Sequence, residues 1–275
     1  EASARKIFDK MGIKLNDIDG FSCCPDPTGI EQIDQDTWLA LGARNLSLSN
    51  NGNGGIISLC SGCVETLKGV NYHINKEDRI KTEVNKVLGK IGKKYDGLTN
   101  VKHFAQVLYE NKEKIKELVT NPLEGFKVAV HYGCHYLRPK DIYDGFDDPE
   151  NPKTLDELIE ATGANLVDYK DKLDCCGGAI LAVQEQTALK MDKIKLDNVS
   201  ANNVDALISQ CPFCSIMYED NRNKIETAFN VDYQGLPVLY YTQLLGLGLG
   251  LGKKELGFRL NKIKPNSLLE KMGVE

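Results

Sequence analysis

Cysteine is the residue in this chain with the clearest potential for chemistry. Nine occur among 275 residues: Cys23, Cys24, Cys60, Cys63, Cys134, Cys175, Cys176, Cys211 and Cys214. Two pairs are adjacent, in "FSCCPDPTG" and "LDCCGG", and two have the CxxC spacing, in "CSGC" and "CPFC". A disulfide within an adjacent pair would be strained, because neighbouring Cα atoms lie ~3.8 Å apart and ordinary disulfides begin near ~4.4 Å. The odd total, the clustering and the absence of a secretory signal in "EASARKIFDKMG" point to metal ligation in a reducing compartment.

The cysteine pattern is duplicated. The first half reads CC, 35 residues, CxxC, and the second reads C, 40 residues, CC, 34 residues, CxxC. "FDKMGIKLNDIDGFSCC" lies on "LIEATGANLVDYKDKLDCC", with Cys23 matching Cys175 and Cys60 matching Cys211 at offsets of 152 and 151. "VKHFAQVL" likewise resembles "VLYYTQLL". Internal similarity at a fixed offset marks a repeated unit. Cys134 has no partner in the first half, so a tenth cysteine is expected upstream of Glu1, in line with a chain that opens without Met.

The elements that must carry these thiols are legible around them. Short apolar runs, "FKVAVHYGC", "GIISLC" and "DALISQC", precede the lone and CxxC cysteines, and helical patterns follow. Runs of this length without strict alternation suit strands buried on both faces, and strand–helix alternation implies parallel sheets. The expected fold is therefore α/β, with two pseudo-symmetric domains at 1–122 and 123–275 and a boundary near "NPLEG". In such sheets ligands sit beyond the carboxyl ends of the strands, where the cysteines fall. A CxxC that opens a helix also lies near the positive end of the helix dipole, which favours thiolate.

Bulk properties narrow the function further. The net charge of -5, without a basic stripe, gives no footprint for nucleic acid. The uncharged stretch from Tyr233 to Gly252 is long enough to span a membrane, but Pro237 and five glycines favour a buried strand and helix. "GLGLGLG" lacks the spacing of a dinucleotide fingerprint, so neither flavin nor nucleotide is expected in this chain. The lysine-rich "ENKEKIKELV" reads as a solvated helix face, His73 and His103 as ordinary residues of helical stretches, and Trp38 as packing for the helix after the CC loop.

Two metal readings remain at this level. Zinc takes four sulfurs in a small tetrahedron, which an adjacent pair reaches only through a kink, and a fifth cysteine is left over. A cluster of several irons lets neighbouring thiolates hold different metal atoms, with glycine backbone approaching to donate N–H bonds.

"HYGCHYLRP", "LDCCGG", "SQCPFCSIMY", "FSCCPDPTG" and "SLCSGC" resemble the cysteine-rich CCG domain, and the duplicated chain resembles heterodisulfide reductase B subunits. The resemblance implies two noncubane [4Fe-4S] clusters, one on Cys134, Cys175, Cys176, Cys211 and Cys214. The other would sit on Cys23, Cys24, Cys60, Cys63 and the upstream cysteine. It implies reduction of the coenzyme M/coenzyme B heterodisulfide to two thiols, one electron from each cluster. It also implies a cytoplasmic complex with a ferredoxin-like C subunit and a flavin-containing A subunit, coupled to a hydrogenase or formate dehydrogenase. Related CCG domains raise the alternative of an electron-transfer subunit for glycolate, lactate or succinate oxidation. An anionic substrate needs cations, for which His135, Arg138 and Lys140 are candidates, with His131 nearby; Arg138 could equally cap a local turn. His135 is also positioned as a proton donor. Pro25, where the second repeat has Gly177, is the main departure of the first repeat.

Overall fold

The computed structural model describes residues 1–49 and 54–273. In chain order the first half contains α1 (Ala2–Lys10), α2 (Ile30–Ile33), α3 (Gln35–Ser47), β1 (Ile56–Ser58), α4 (Ser61–Lys76), α5 (Asp78–Gly89), β2 (Val101–His103), α6 (Phe104–Glu110) and α7 (Lys112–Leu118). The second contains β3 (Lys127–His131), α8 (Thr154–Glu160), β4 (Asn165–Leu166), α9 (Glu185–Ser200), β5 (Ala206–Ser209), α10 (Pro212–Ser215), α11 (Arg222–Phe229), β6 (Val238–Tyr240), α12 (Tyr241–Gly248) and α13 (Asn266–Lys271). A single π-helical turn, Ile216–Asp220, separates α10 from α11.

Both sheets are parallel, as strands alternating with helices require. One has the order β4-β3-β5-β6, with Val130 opposite Ile208 and Ile208 opposite Leu239. The other pairs β1 with β2, Ile56 opposite Val101 and Ser58 opposite His103. Strand β5 is buried throughout, which explains why "ALIS" shows no alternation.

The chain folds into two compact units, and neither is a continuous half. The larger holds Glu1–Leu15, Leu108–Cys134 and Glu150–Glu275; the smaller holds Asn16–Val107 and His135–Pro149. The 122/123 line therefore runs through the larger unit. In that unit α1 packs on α12, with a buried contact of 2.8 Å between the Ser3 and Thr242 hydroxyls. Lys114 of α7 donates to the Met11 carbonyl at 2.7 Å.

Each unit has its own core. In the larger, Leu189, Leu196, Leu207, Met217, Tyr218 and Ile225 surround the cysteines. In the smaller, Trp38, Leu46, Leu67, Val70 and Val101 do the same work. Trp38 closes α3 on α4 against Gly69, where a Cβ would come within 2.9 Å of the indole. The uncharged stretch near 240 forms β6 and α12, both buried, and no described helix is long and apolar enough to cross a membrane.

Two local expectations change. His103 ends strand β2 instead of lying in a helix, because its backbone joins the β1 ladder. "SIMYEDNRNKIETAF" is not one regular helix either. A π turn over Ile216–Asp220 interrupts it, whereas the first-repeat equivalent α4 runs unbroken.

Candidate metal centres

The larger unit brings five sulfurs together from three chain segments. Cys134 follows strand β3, Cys175 and Cys176 lie in the loop before α9, Cys211 caps α10, and Cys214 sits one turn into it. None of the nine cysteines forms a disulfide. Pro212 occupies the first turn of α10, where its missing N–H costs nothing.

Hydrogen bonds link these five thiols into a chain. Cys134 and Cys176 both hydrogen-bond Cys175, and Cys214 lies in hydrogen-bond contact with Cys176 and Cys211. The first two bonds hold the Cys175 thiol down at about 2. The bonds to neighbouring thiolates, together with burial, push Cys134, Cys176 and Cys214 up. Crowding on this scale keeps most of the sulfurs protonated until a cation displaces the protons. Five sulfurs also exceed the four of a tetrahedral zinc site, so the donor set suits a polynuclear iron–sulfur group.

The glycines after the pair perform two tasks. Gly177 has φ +78°, and its N–H reaches the Cys175 sulfur at 3.3 Å. A Cβ there would lie 3.0 Å from Ala188 Cα, and one on Gly178 would lie 2.6 Å from the Phe213 ring. The backbone N–H of Gly178 bonds the Cys176 sulfur. Both approaches require the absence of a side chain.

His131 completes this centre from the end of β3. It is 1% exposed, and its Nε2 lies 3.2 Å from the Cys214 sulfur while the Tyr218 hydroxyl lies 3.4 Å from Nδ1. Burial holds the imidazole neutral, down at about 3, and pushes the Tyr218 hydroxyl well up. The neutral imidazole therefore links Tyr218 and Cys214, one ring nitrogen donating and the other accepting. His131, Cys176 and Cys214 also have donor atoms within 4.8 Å of one another, close enough to share a metal ion.

The smaller unit gathers Cys24, Cys60 and Cys63, with Cys23 exposed beside them. Cys60 donates to Cys63, which in turn donates to Cys24; the latter bond pushes Cys63 up to about 12 and lowers Cys24. Asn45 of α3 is fully buried, and its amide N–H₂ reaches Cys24 at 3.7 Å and the Ser22 carbonyl at 2.9 Å. Pro25 has no N–H to give a sulfur; its carbonyl instead accepts from the Thr66 hydroxyl at 2.8 Å.

The three candidate substrate contacts have different surroundings. His135 is half-buried in the smaller unit, Nε2 3.2 Å from the Thr28 hydroxyl and Nδ1 3.8 Å from the Glu65 carboxylate. Glu65 is buried, and desolvation, reinforced by Glu31 and Asp26, raises its carboxyl to about 8. Arg138 and Lys140 are exposed, and Arg138 donates to the Pro149 carbonyl at 3.0 Å, within its own loop.

Sequence reasoning missed Asn45, Glu65, Asp192, Lys195 and Tyr218. One signal was available in α9. Asp192 and Lys195 fall on the stripe otherwise filled by Ala188, Leu189, Leu196 and Val199, and all six are buried. A charge inside an apolar stripe calls for a buried partner or a function.

Comparisons with known proteins agree with this geometry. The CCG cysteine-rich domain model matches residues 1–68 and 128–219. The B subunit of the ferredoxin:CoB-CoM heterodisulfide reductase of Methanosarcina mazei is 37% identical over 99% of this chain and 91% of its own length. An 8-methylmenaquinol:fumarate reductase membrane anchor subunit of Wolinella succinogenes is 33% identical over 97% of this chain and 92% of its own. A solved structure of a hypothetical protein from Helicobacter pylori shares the fold, with a TM-score of 0.76 and 17% identity over 96% of this chain; the chain spans 48% of its length.

Proposed function

The chain belongs to the cysteine-rich CCG-domain family of heterodisulfide reductase B subunits, iron–sulfur oxidoreductases, and from that premise we propose that it reduces the heterodisulfide of coenzyme M and coenzyme B. The observation that carries this reading is the convergence of five thiols in the larger unit, on a chain so similar to a named B subunit. Breaking the S–S bond takes two electrons and two protons and yields two thiols.

Cys134, Cys175, Cys176, Cys211 and Cys214 would hold one noncubane [4Fe-4S] cluster. Cys23, Cys24, Cys60 and Cys63 would hold the second, with an upstream cysteine. When bound, such clusters store and pass single electrons. The chain's own residues hold the sulfurs at fixed points, direct backbone N–H groups at Cys175 and Cys176 and set the His131 ring against Cys214. His135, oriented by Thr28 beside Glu65, is the side chain best held to deliver a proton to a departing thiolate. Arg138 and Lys140 offer exposed positive charge for an anionic substrate. Electrons would come from a ferredoxin-like C subunit and a flavin-containing A subunit coupled to a hydrogenase or formate dehydrogenase, in the cytoplasm.

A second reading, an electron-transfer subunit for succinate or fumarate chemistry, is favoured by the similarity to the Wolinella succinogenes fumarate reductase subunit. Anaerobic purification with iron, sulfide and zinc counts, followed by turnover with a reduced viologen dye, separates these readings. About eight irons per chain and consumption of the coenzyme M/coenzyme B disulfide are expected for the reductase. Iron without disulfide turnover would favour the second reading, and zinc without iron would sink both.

A further inference from the structure

Helices α3 and α9 are repeat equivalents, and their registers align residue by residue. They start at Gln35 and Glu185, 150 residues apart, each directly after its cap. Trp38, Leu39, Gly42, Asn45 and Leu46 are buried on α3, and Ala188, Leu189, Asp192, Lys195 and Leu196 are buried at the same helical positions on α9. Asn45 and Lys195 thus occupy one structural position in the two units. One is a neutral amide and the other an ammonium.

Lys195 is an unusual cation. It is 1% exposed, pairs with no carboxylate among the described residues, and donates to the Asp171 carbonyl and, at 3.0 Å, to the Lys172 carbonyl. Its ammonium lies 5.5 Å from the centre of the Tyr169 ring, and Asp174, Asp171, Cys176 and Cys214 are all close enough to act on it. A buried charge needs compensation, which the cysteine sulfurs share with the Asp174 and Asp171 carboxylates. Asp192, one turn earlier, does not neutralise it: both carboxylate oxygens lack a hydrogen bond, and burial pushes the carboxyl up to about 9. In the smaller unit the cation beside Asn45 is half-exposed Arg44, which donates to Asn45 Oδ1 at 2.9 Å. Solvent screens a charge there far more than it screens Lys195.

The hydrogen bonds to sulfur point the same way. In the larger unit Gly177 and Gly178 direct backbone N–H groups at Cys175 and Cys176, and the His131 ring lies against Cys214. In the smaller, Pro25 stands where Gly177 would donate, and Asn45 reaches Cys24. Positive charge and N–H donors both stabilise the more negative, reduced state of a metal–sulfur group.

We propose that the two centres are electrostatically unequal, and that the buried ammonium of Lys195, in place of Asn45, makes the centre of the larger unit the first to accept an electron. This rests on the cluster reading above. The test is a redox titration of the cluster-loaded chain, followed by electron paramagnetic resonance. The unmodified protein should show two separated midpoints. Lys195→Gln should move the more positive midpoint towards the other at unchanged iron content, and Lys195→Arg should keep it in place. Coincident midpoints in the unmodified protein, a Lys195→Gln shift confined to the more negative midpoint, or no shift at all would overturn the assignment. A chain that takes up zinc and no iron would overturn the cluster reading itself, and this inference with it.

Discussion

At Gly177 the backbone takes φ +78° with Ala188 Cα 3.0 Å from any added Cβ, so both conformation and space demand glycine. Gly177→Ala should destabilise the iron-free chain by about 1–3 kcal/mol, read from denaturant unfolding. Unchanged stability would mean that the loop before α9 relaxes freely. Asp192 makes a separate prediction. Its folded carboxyl, raised by burial to about 9, binds a proton more tightly than in the unfolded chain. Its contribution to stability is therefore full below the ordinary carboxylate pKa of about 4 and is lost as pH rises through about 9. Between those limits the iron-free chain should lose stability with rising pH, and Asp192→Asn should flatten that slope in pH-dependent unfolding. An equally steep slope in the variant would show that Asp192 is ionised in the folded chain.

The helices that follow the paired cysteines act as clamps. Asp34 caps α3 by accepting from the Thr37 N–H at 3.0 Å, and Trp38, fully buried, seals α3 to α4 across Gly69. Trp38→Ala should cost about 3–5 kcal/mol through transfer and cavity terms, visible as a lower denaturation midpoint, and should loosen the Asn45–Cys24 contact on the same helix. A variant as stable as the parent would place the packing elsewhere. The role of Trp38 was legible from its place after the CC loop. The polar face was not: Asn45 looks like any surface amide until α3 is docked and its carboxamide meets Ser22 and Cys24.

The interleaving of segments in the two units makes a prediction for the whole molecule. Helix α1 buries Ile7 and Phe8 within the larger unit and hydrogen-bonds α12 through Ser3, although it lies more than 200 residues away in sequence. A fragment covering 123–275 should therefore melt at a lower temperature than the same fragment supplied with a 1–15 peptide, followed by circular dichroism. No gain from the peptide would make α1 dispensable to that unit. The duplicated cysteine pattern could not show this interleaving, because a repeat records ancestry along the chain and says nothing about which half a segment packs against.

The order of residues by itself determined the nine-cysteine pattern, its duplication, the parallel α/β architecture and the family, since each depends on spacing, periodicity or apolar runs that are local in the chain. Tertiary packing decided what those signals leave open. It put His131 against Cys214 instead of solvent, buried Lys195 and Asp192 together, gave Arg138 to a carbonyl of its own loop, and carried α1 into the larger unit. These are long-range contacts, and the energy of a buried charge or a sulfur hydrogen bond depends on the dielectric and partners that only the folded chain supplies.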